Sequence, residues 1–319
     1  MNSIIDDVID TNIPYRKKLE INRKNTFGTE IEFENASFDK IREVLNLRDN
    51  LHNWNLVHDG SVEFEYEGKA YGGEVVSPIL TDSINTWKQL RTVCKLIKNN
   101  IGLTGEKASS HIHIGIKAFE ENKKYLLNFI KLWVSYEHVI YRFAYGEKDY
   151  PRKLLCEYAA PCAYRLFECL LEINNKKEFS FGDIIDYIYD ISEIGISFGY
   201  GLRFNSSNHN PKRKDTIEVR CPNGTLNESI WQNNINFFIK LLEYSASDNF
   251  DEELINKRVQ NYKYIYIDDY KNIYLEDALE LSNLIFTKEE DKLYFLKQYL
   301  KINNENYQKI KQKIIENQI

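Results

Sequence analysis

Between residues 26 and 78 apolar side chains recur at every second position, the period of half-buried strands: Phe27, Thr29, Ile31 and Phe33 alternate with Gly28, Glu30, Glu32 and Glu34. A cappable Ser37 or Asp39 predicts a short helix through residue 47. Residues 54–57, 62–66 and 70–76 then read as further strands around a His-Asp-Gly-Ser turn, together an antiparallel meander. A helix follows over 82–98, with Trp87, Leu90, Val93, Cys94 and Ile97 on one face. Strand alternation returns over 109–116, and a long helix spans 122–145. Residues 148–195 are helical by pattern, including 164–173 and 181–191, and suit an insertion or lid over the sheet. Strands at 201–205 and 216–221 flank the polar loop SSNHNPKRKD, a helix spans 227–244, and 246–319 reads as charged amphipathic helices.

Period-two geometry sends alternate side chains to opposite sheet faces. The polar face carries Glu30 and Glu32 in the first strand, Glu63 and Glu65 over 62–67, His111 and His113 over 109–116, and Thr216, Glu218 and Arg220 over 216–221; Glu74 adds an acid near a strand end. One E-x-E on an amphipathic strand is by itself an ordinary solvated face. If these strands share one sheet, however, several carboxylates, two imidazoles and a guanidinium gather on one side, where facing acids need solvent or bound cations. A hard divalent ion suits such a face, since Mg²⁺ works with carboxylates and substrate phosphates. The pattern therefore favours a metal-nucleotide site. Lys212, Arg213 and Lys214, just before the Glu218 strand, read first as a solvated run and alternatively as a clamp for phosphate or an acidic substrate.

Composition narrows the class. The chain has 319 residues, 43% hydrophobic and 28% charged, as in soluble globular proteins, and only 14 Gly and 6 Pro, which favours long regular elements. Lys+Arg 42 against Asp+Glu 48 gives a net charge of -6, with no excess of positive charge to attract nucleic acid. No run approaches 18 apolar residues and the N-terminal stretch lacks the pattern of a signal peptide, so the expectation is a cytoplasmic protein without a membrane segment. Five scattered cysteines without a C-x-x-C pair read as reduced thiols. GLTGEKAS at 102–109 has the wrong spacing for a phosphate loop, and Rossmann, H-E-x-x-H and G-x-S-x-G motifs are absent.

Five segments in order, FGTEIEFE at 27–34, HDGSVE at 58–63, GGEVVSP at 72–78, SSHIHIG at 109–115 and TIEVRCPNGTLN at 216–227, resemble the amidoligase family, a branch of the glutamine synthetase and glutamate-cysteine ligase superfamily. The resemblance covers residues 26–245. It departs from the family pattern in the serine before the histidines and in the acid-rich EFEYEG. What it implies is an α+β fold with a glutamine synthetase-like, curved, mainly antiparallel sheet and helices on one face. The activity implied is ATP-dependent joining of a carboxylate to an amine through an acyl phosphate, with Mg²⁺, or alternatively Mn²⁺, as cofactor.

Carried over by position, the metal ligands are Glu30, Glu32, Glu74, His111 and Glu218; His113 lies near the nucleotide phosphates and Arg220 meets the transferring phosphoryl group. Glu32, Glu218 and Arg220 make the catalytic set. Ser61 and, less directly, Arg203 join the nucleotide- and substrate-binding residues, with Asp59 and Glu63 in the same second motif. The organisation expected is an N-terminal extension over 1–25, a catalytic domain over 26–245 containing the 148–195 insertion, and a C-terminal helical region over 246–319. Substrates would be small molecules or peptides bearing a carboxylate and an amine. A phosphotransferase on the same scaffold and a non-catalytic nucleotide- or metal-binding module are the competing readings.

Overall fold

A computed structural model describes residue 8 and residues 12–175, 179–193 and 199–301. Parts of the expected N-terminal extension, of the 148–195 insertion (176–178, 194 and 195) and of the C-terminal region (302–319) lie outside the described residues. The strands are β1 (Phe27–Ser37), β2 (Asn55–Val57), β3 (Phe64–Tyr66), β4 (Lys69–Val76), β5 (Ser110–Gly115), β6 (Leu202–Phe204) and β7 (Thr216–Val219). They form one curved, open antiparallel sheet in the order β2-β4-β1-β5-β7-β6, with β3 also on β4. The helices are α1 (Phe38–Asn46), α2 (Ile84–Asn99), α3 (Lys123–Ala144), α4 (Leu155–Tyr158), α5 (Ala163–Asn175), α6 (Phe181–Glu193), α7 (Glu228–Ser245), α8 (Glu252–Gln260), α9 (Leu275–Ile285) and α10 (Glu289–Leu300).

The expected meander is not what forms. β2 and β3 share one edge of β4, Leu56 facing Val75 and Glu65 facing Ala70, while β1 bonds the other edge. Two glycines permit this: Gly72 and Gly73 take φ of +95° and +146°, and a Cβ on Gly72 would lie 2.6 Å from the Val62 carbonyl oxygen. The 62–66 strand also shrinks to Phe64–Tyr66, whose residues are all exposed. Glu63 and Glu65 therefore do not join the acidic face. Glu63 instead accepts from the Asp59 amide at 2.8 Å and pairs with His58 at 3.0 Å. A three-residue strand held on one edge cannot bury an alternating face.

One face of the sheet is apolar: Ile31 faces Val75, Ile112 faces Val219, and Ile114 and Phe204 both face Ile217. This face joins the helices in a single core, with Phe27 stacked on Trp87 of α2 at 5.4 Å. α2 and α7 start where the sequence supplies caps, Ser83 accepting from the Thr86 amide and Asn227 from the Ser229 amide. The helices after residue 245 enter the same core: Phe295 of α10 lies 5.1 Å from both Phe143 of α3 and Phe237 of α7. α3 breaks helical geometry at Tyr136. Beside the break, buried Glu137 accepts from Trp133, Tyr270 and the Cys162 and Ala163 amides at the start of α5. The five cysteines are free thiols. No described helix is long and apolar enough to cross a membrane.

Candidate active site

On the other face the register lines up the chemistry. Glu32 faces Glu74, Glu30 faces His111, and Glu218 faces His113 on one side and Arg203 on the other. The side chains form a row across β4, β1, β5, β7 and β6. Donor atoms within 4.8 Å of one another define two groups, Glu30–His113–Glu218 and Glu32–Asp59–Glu74. Both suit a hard divalent cation; the second is all oxygen, the first includes an imidazole.

His111 stands between the groups. Its Nδ1 is 3.0 Å from Glu30 and 3.6 Å from Glu218; its Nε2 is 2.8 Å from the Ser109 hydroxyl and 3.6 Å from Glu32. His113 reaches Glu30 at 2.7 Å and Thr216 at 3.3 Å. Ser109 anchors Glu32 with its amide at 2.7 Å and with its hydroxyl. Asn205 donates to Glu218 at 2.8 Å, and Arg220, which follows β7, reaches Glu218 at 3.3 Å and the Tyr158 carbonyl at 3.0 Å.

These contacts set the charge states. Burial opposes ionisation of Glu30, but hydrogen bonds from His111 and His113 outweigh it and hold its carboxyl well below the usual range. Burial likewise opposes ionisation of Glu218, and the charges of Arg220, His111 and His113 prevail, so its carboxyl is also lowered. Glu74 lacks such partners. Burial first, then the charges of Glu30, Glu32, Asp59 and Glu218, push it up to about 9. A buried acid kept neutral by four others is one that a bound divalent cation would ionise.

The structure thus brings together Glu30, Glu32, Glu74, His111, His113, Glu218 and Arg220. Asp59 joins the second group because its turn closes locally, its carboxylate accepting from the Ser61 amide at 2.8 Å. Ser61 contributes its backbone there. Arg203 lies beside Glu218 on β6, its guanidinium 5.8 Å from the Tyr189 ring of α6. Ser109 and Asn205 join the site unexpectedly; Ser109 sits inside SSHIHIG and Asn205 ends the expected 201–205 strand.

A cavity of about 690 Å³ opens beside Glu30 and His113, lined also by Gly28, Pro78, Ile79 and Lys214. Lys214 lies 3.7 Å from Glu30. A second cavity of about 790 Å³ adjoins it through Lys117 and Asp215 and extends along α6.

An α+β chain with carboxylates, imidazoles and an arginine arrayed across an open antiparallel sheet carries the ordered motifs of one enzyme class. A family profile described as "Putative amidoligase enzyme" matches residues 23–242. The chain belongs to this amidoligase family, a ligase-type assignment that spans the whole sheet and ends within α7. No curated protein matches the chain.

Proposed function

We propose that the protein is an ATP-dependent carboxylate-amine ligase. The observation carrying this reading is the row of charged residues across five strands, which includes each group type that phosphoryl transfer to a carboxylate requires. A carboxylate acylates amines poorly at neutral pH. Phosphorylation by the ATP γ-phosphate yields an acyl phosphate and ADP, and attack by a deprotonated amine then forms the amide and releases phosphate.

The first step needs positive charge around the phosphoryl oxygens and little covalent help. Arg220 supplies a guanidinium held by Glu218 and the Tyr158 carbonyl, and Lys214 an exposed cation lining the 690 Å³ cavity. Bound at Glu30–His113–Glu218 and Glu32–Asp59–Glu74, Mg²⁺ or Mn²⁺ would neutralise the nucleotide phosphates and the excess carboxylate charge. The mixed lining of the cavity suits a nucleoside above a phosphate-binding rim. The second step must exclude water, a role that suits the α4–α6 region as a lid.

The test is ADP release by purified protein with Mg²⁺ over pools of amino acids, amines, peptides and acids, with mass spectrometry of the products. An amide product supports the ligase. A phosphorylated product would favour a phosphotransferase, and the absence of ADP in every pool would leave only a binding role.

A further inference from the structure

Arg152 is a buried cation that feels the charges of Glu32 and Arg220. It is 3% exposed and makes no ion pair among the described residues. Its guanidinium instead donates to three consecutive carbonyls, those of Arg220 at 3.0 Å, Cys221 at 3.4 Å and Pro222 at 3.0 Å. Burying an unpaired charge is costly, and a neutral amide could cap carbonyls at less expense. A rigid fork that spans successive carbonyls is specific to arginine.

Those carbonyls belong to the exit of β7, the stretch that carries Arg220. Six residues after Arg152, the Tyr158 carbonyl accepts from Arg220 Nε at 3.0 Å. One segment, 152–158, therefore grips Arg220 twice, main chain through Arg152 and side chain through Tyr158. The segment is itself fastened to the strand exit: Asn223 accepts from the Arg152 amide at 2.8 Å and donates to the Tyr145 and Tyr150 carbonyls at 3.1 and 2.9 Å. With Nε on Tyr158 and Nη1 on Glu218, Nη2 of Arg220 has no partner among the described residues.

We infer that Arg152 is a positioning residue: its fork on the 220–222 carbonyls, together with the Tyr158 carbonyl, holds the Arg220 guanidinium with one amino group free to meet the transferring phosphoryl group. The phosphoryl part of this inference rests on the ligase reading; the positioning part does not.

The experiment separates the two. In ¹⁵N-labelled protein the Arg220 Nε–H signal, assigned by its loss in Arg220→Lys, is expected to exchange slowly with solvent. In Arg152→Lys and Arg152→Met it should exchange about tenfold faster or more when each variant is compared at the same interval below its own unfolding midpoint, since methionine removes the buried charge but leaves the 220–222 carbonyls without their donor. An unchanged exchange rate in the methionine variant overturns the inference, whether or not nucleotide binds.

Calorimetry with Mg²⁺-ADP, alone and with aluminium fluoride as a mimic of the transferring phosphoryl group, tests the consequence. Arg152→Lys should weaken the fluoride complex about tenfold to a hundredfold while changing ADP affinity less than about twofold. Added to Arg220→Ala it should cause no further loss. An equal loss of both ligands, or additive losses in the double variant, would reduce Arg152 to a structural residue. Faster Nε–H exchange with no binding of either ligand to wild type would sustain the positioning and sink the nucleotide reading instead.

Discussion

Replacing Glu74 with glutamine tests the electrostatics of the charged face without needing a substrate. In the metal-free protein burial and four neighbouring acids raise the Glu74 carboxyl from 4.5 to about 9. Folding thus favours its neutral form. The stability this group contributes is complete below about pH 4.5 and is lost progressively as pH rises towards about 9. At pH 7 the folded protein holds a proton there that the unfolded chain does not. The gap between 4.5 and 7 corresponds to about 3 kcal/mol at roughly 1.36 kcal/mol per pH unit. Glutamine matches the neutral acid in shape and needs no proton.

Glu74→Gln should therefore stabilise the metal-free protein at pH 7 by about 1–3 kcal/mol, the lower figure allowing for water in the cleft, or about 1–5 °C in Tm for a chain of this size. The measurement is thermal unfolding in EDTA at pH 6, 7 and 8, repeated with Mn²⁺. The advantage of the variant should grow with pH in EDTA, and the order should reverse with Mn²⁺, since only wild type offers the full Glu32–Asp59–Glu74 set. Parallel pH curves in EDTA, with the variant no more stable than wild type, would refute the reasoning.

Other outcomes follow from the same contacts. Glu32→Gln and Arg220→Ala should each abolish ADP release in the product assay with circular dichroism unchanged, and Glu32→Gln should weaken Mn²⁺ binding more. Truncation after Ser245 should prevent folding, seen as loss of near-ultraviolet dichroism, because Phe143 and Phe237 lose their Phe295 partner. Glu137→Leu should destabilise by about 3 kcal/mol or more in urea unfolding, since four donors, from Trp133, Tyr270, Cys162 and Ala163, lose their acceptor.

Alternation was enough to assign β1, β5 and β7 their faces, because each has apolar residues buried on one side throughout. The pairing Glu30–His111 also lay within reach of sequence once the two strands were taken as antiparallel neighbours. The 55–76 stretch was harder. Its path turns on the positive φ angles of Gly72 and Gly73, and a three-residue strand has too few positions to display a period. That is why Glu63 and Glu65 were placed on the wrong surface while Asp59, delivered by a turn, carried no pattern of its own. Arg152 was beyond sequence reasoning for another reason. Its partners are main-chain carbonyls about 70 positions away, and carbonyls leave no signature in side-chain identity.

Because the acids and imidazoles come from different strands, pairing between β1 and β5 acts as an alignment gauge. Sliding one strand past the other by a single residue would swing Ile112 outward and send His111 and His113 into oil. The Glu30–His113–Glu218 group would then lose its imidazole, while Glu32–Asp59–Glu74, to which β5 contributes nothing, would keep its donors. Were a divalent cation to bind the first group, a mispaired chain would forgo the stabilisation that the correct register gains from it.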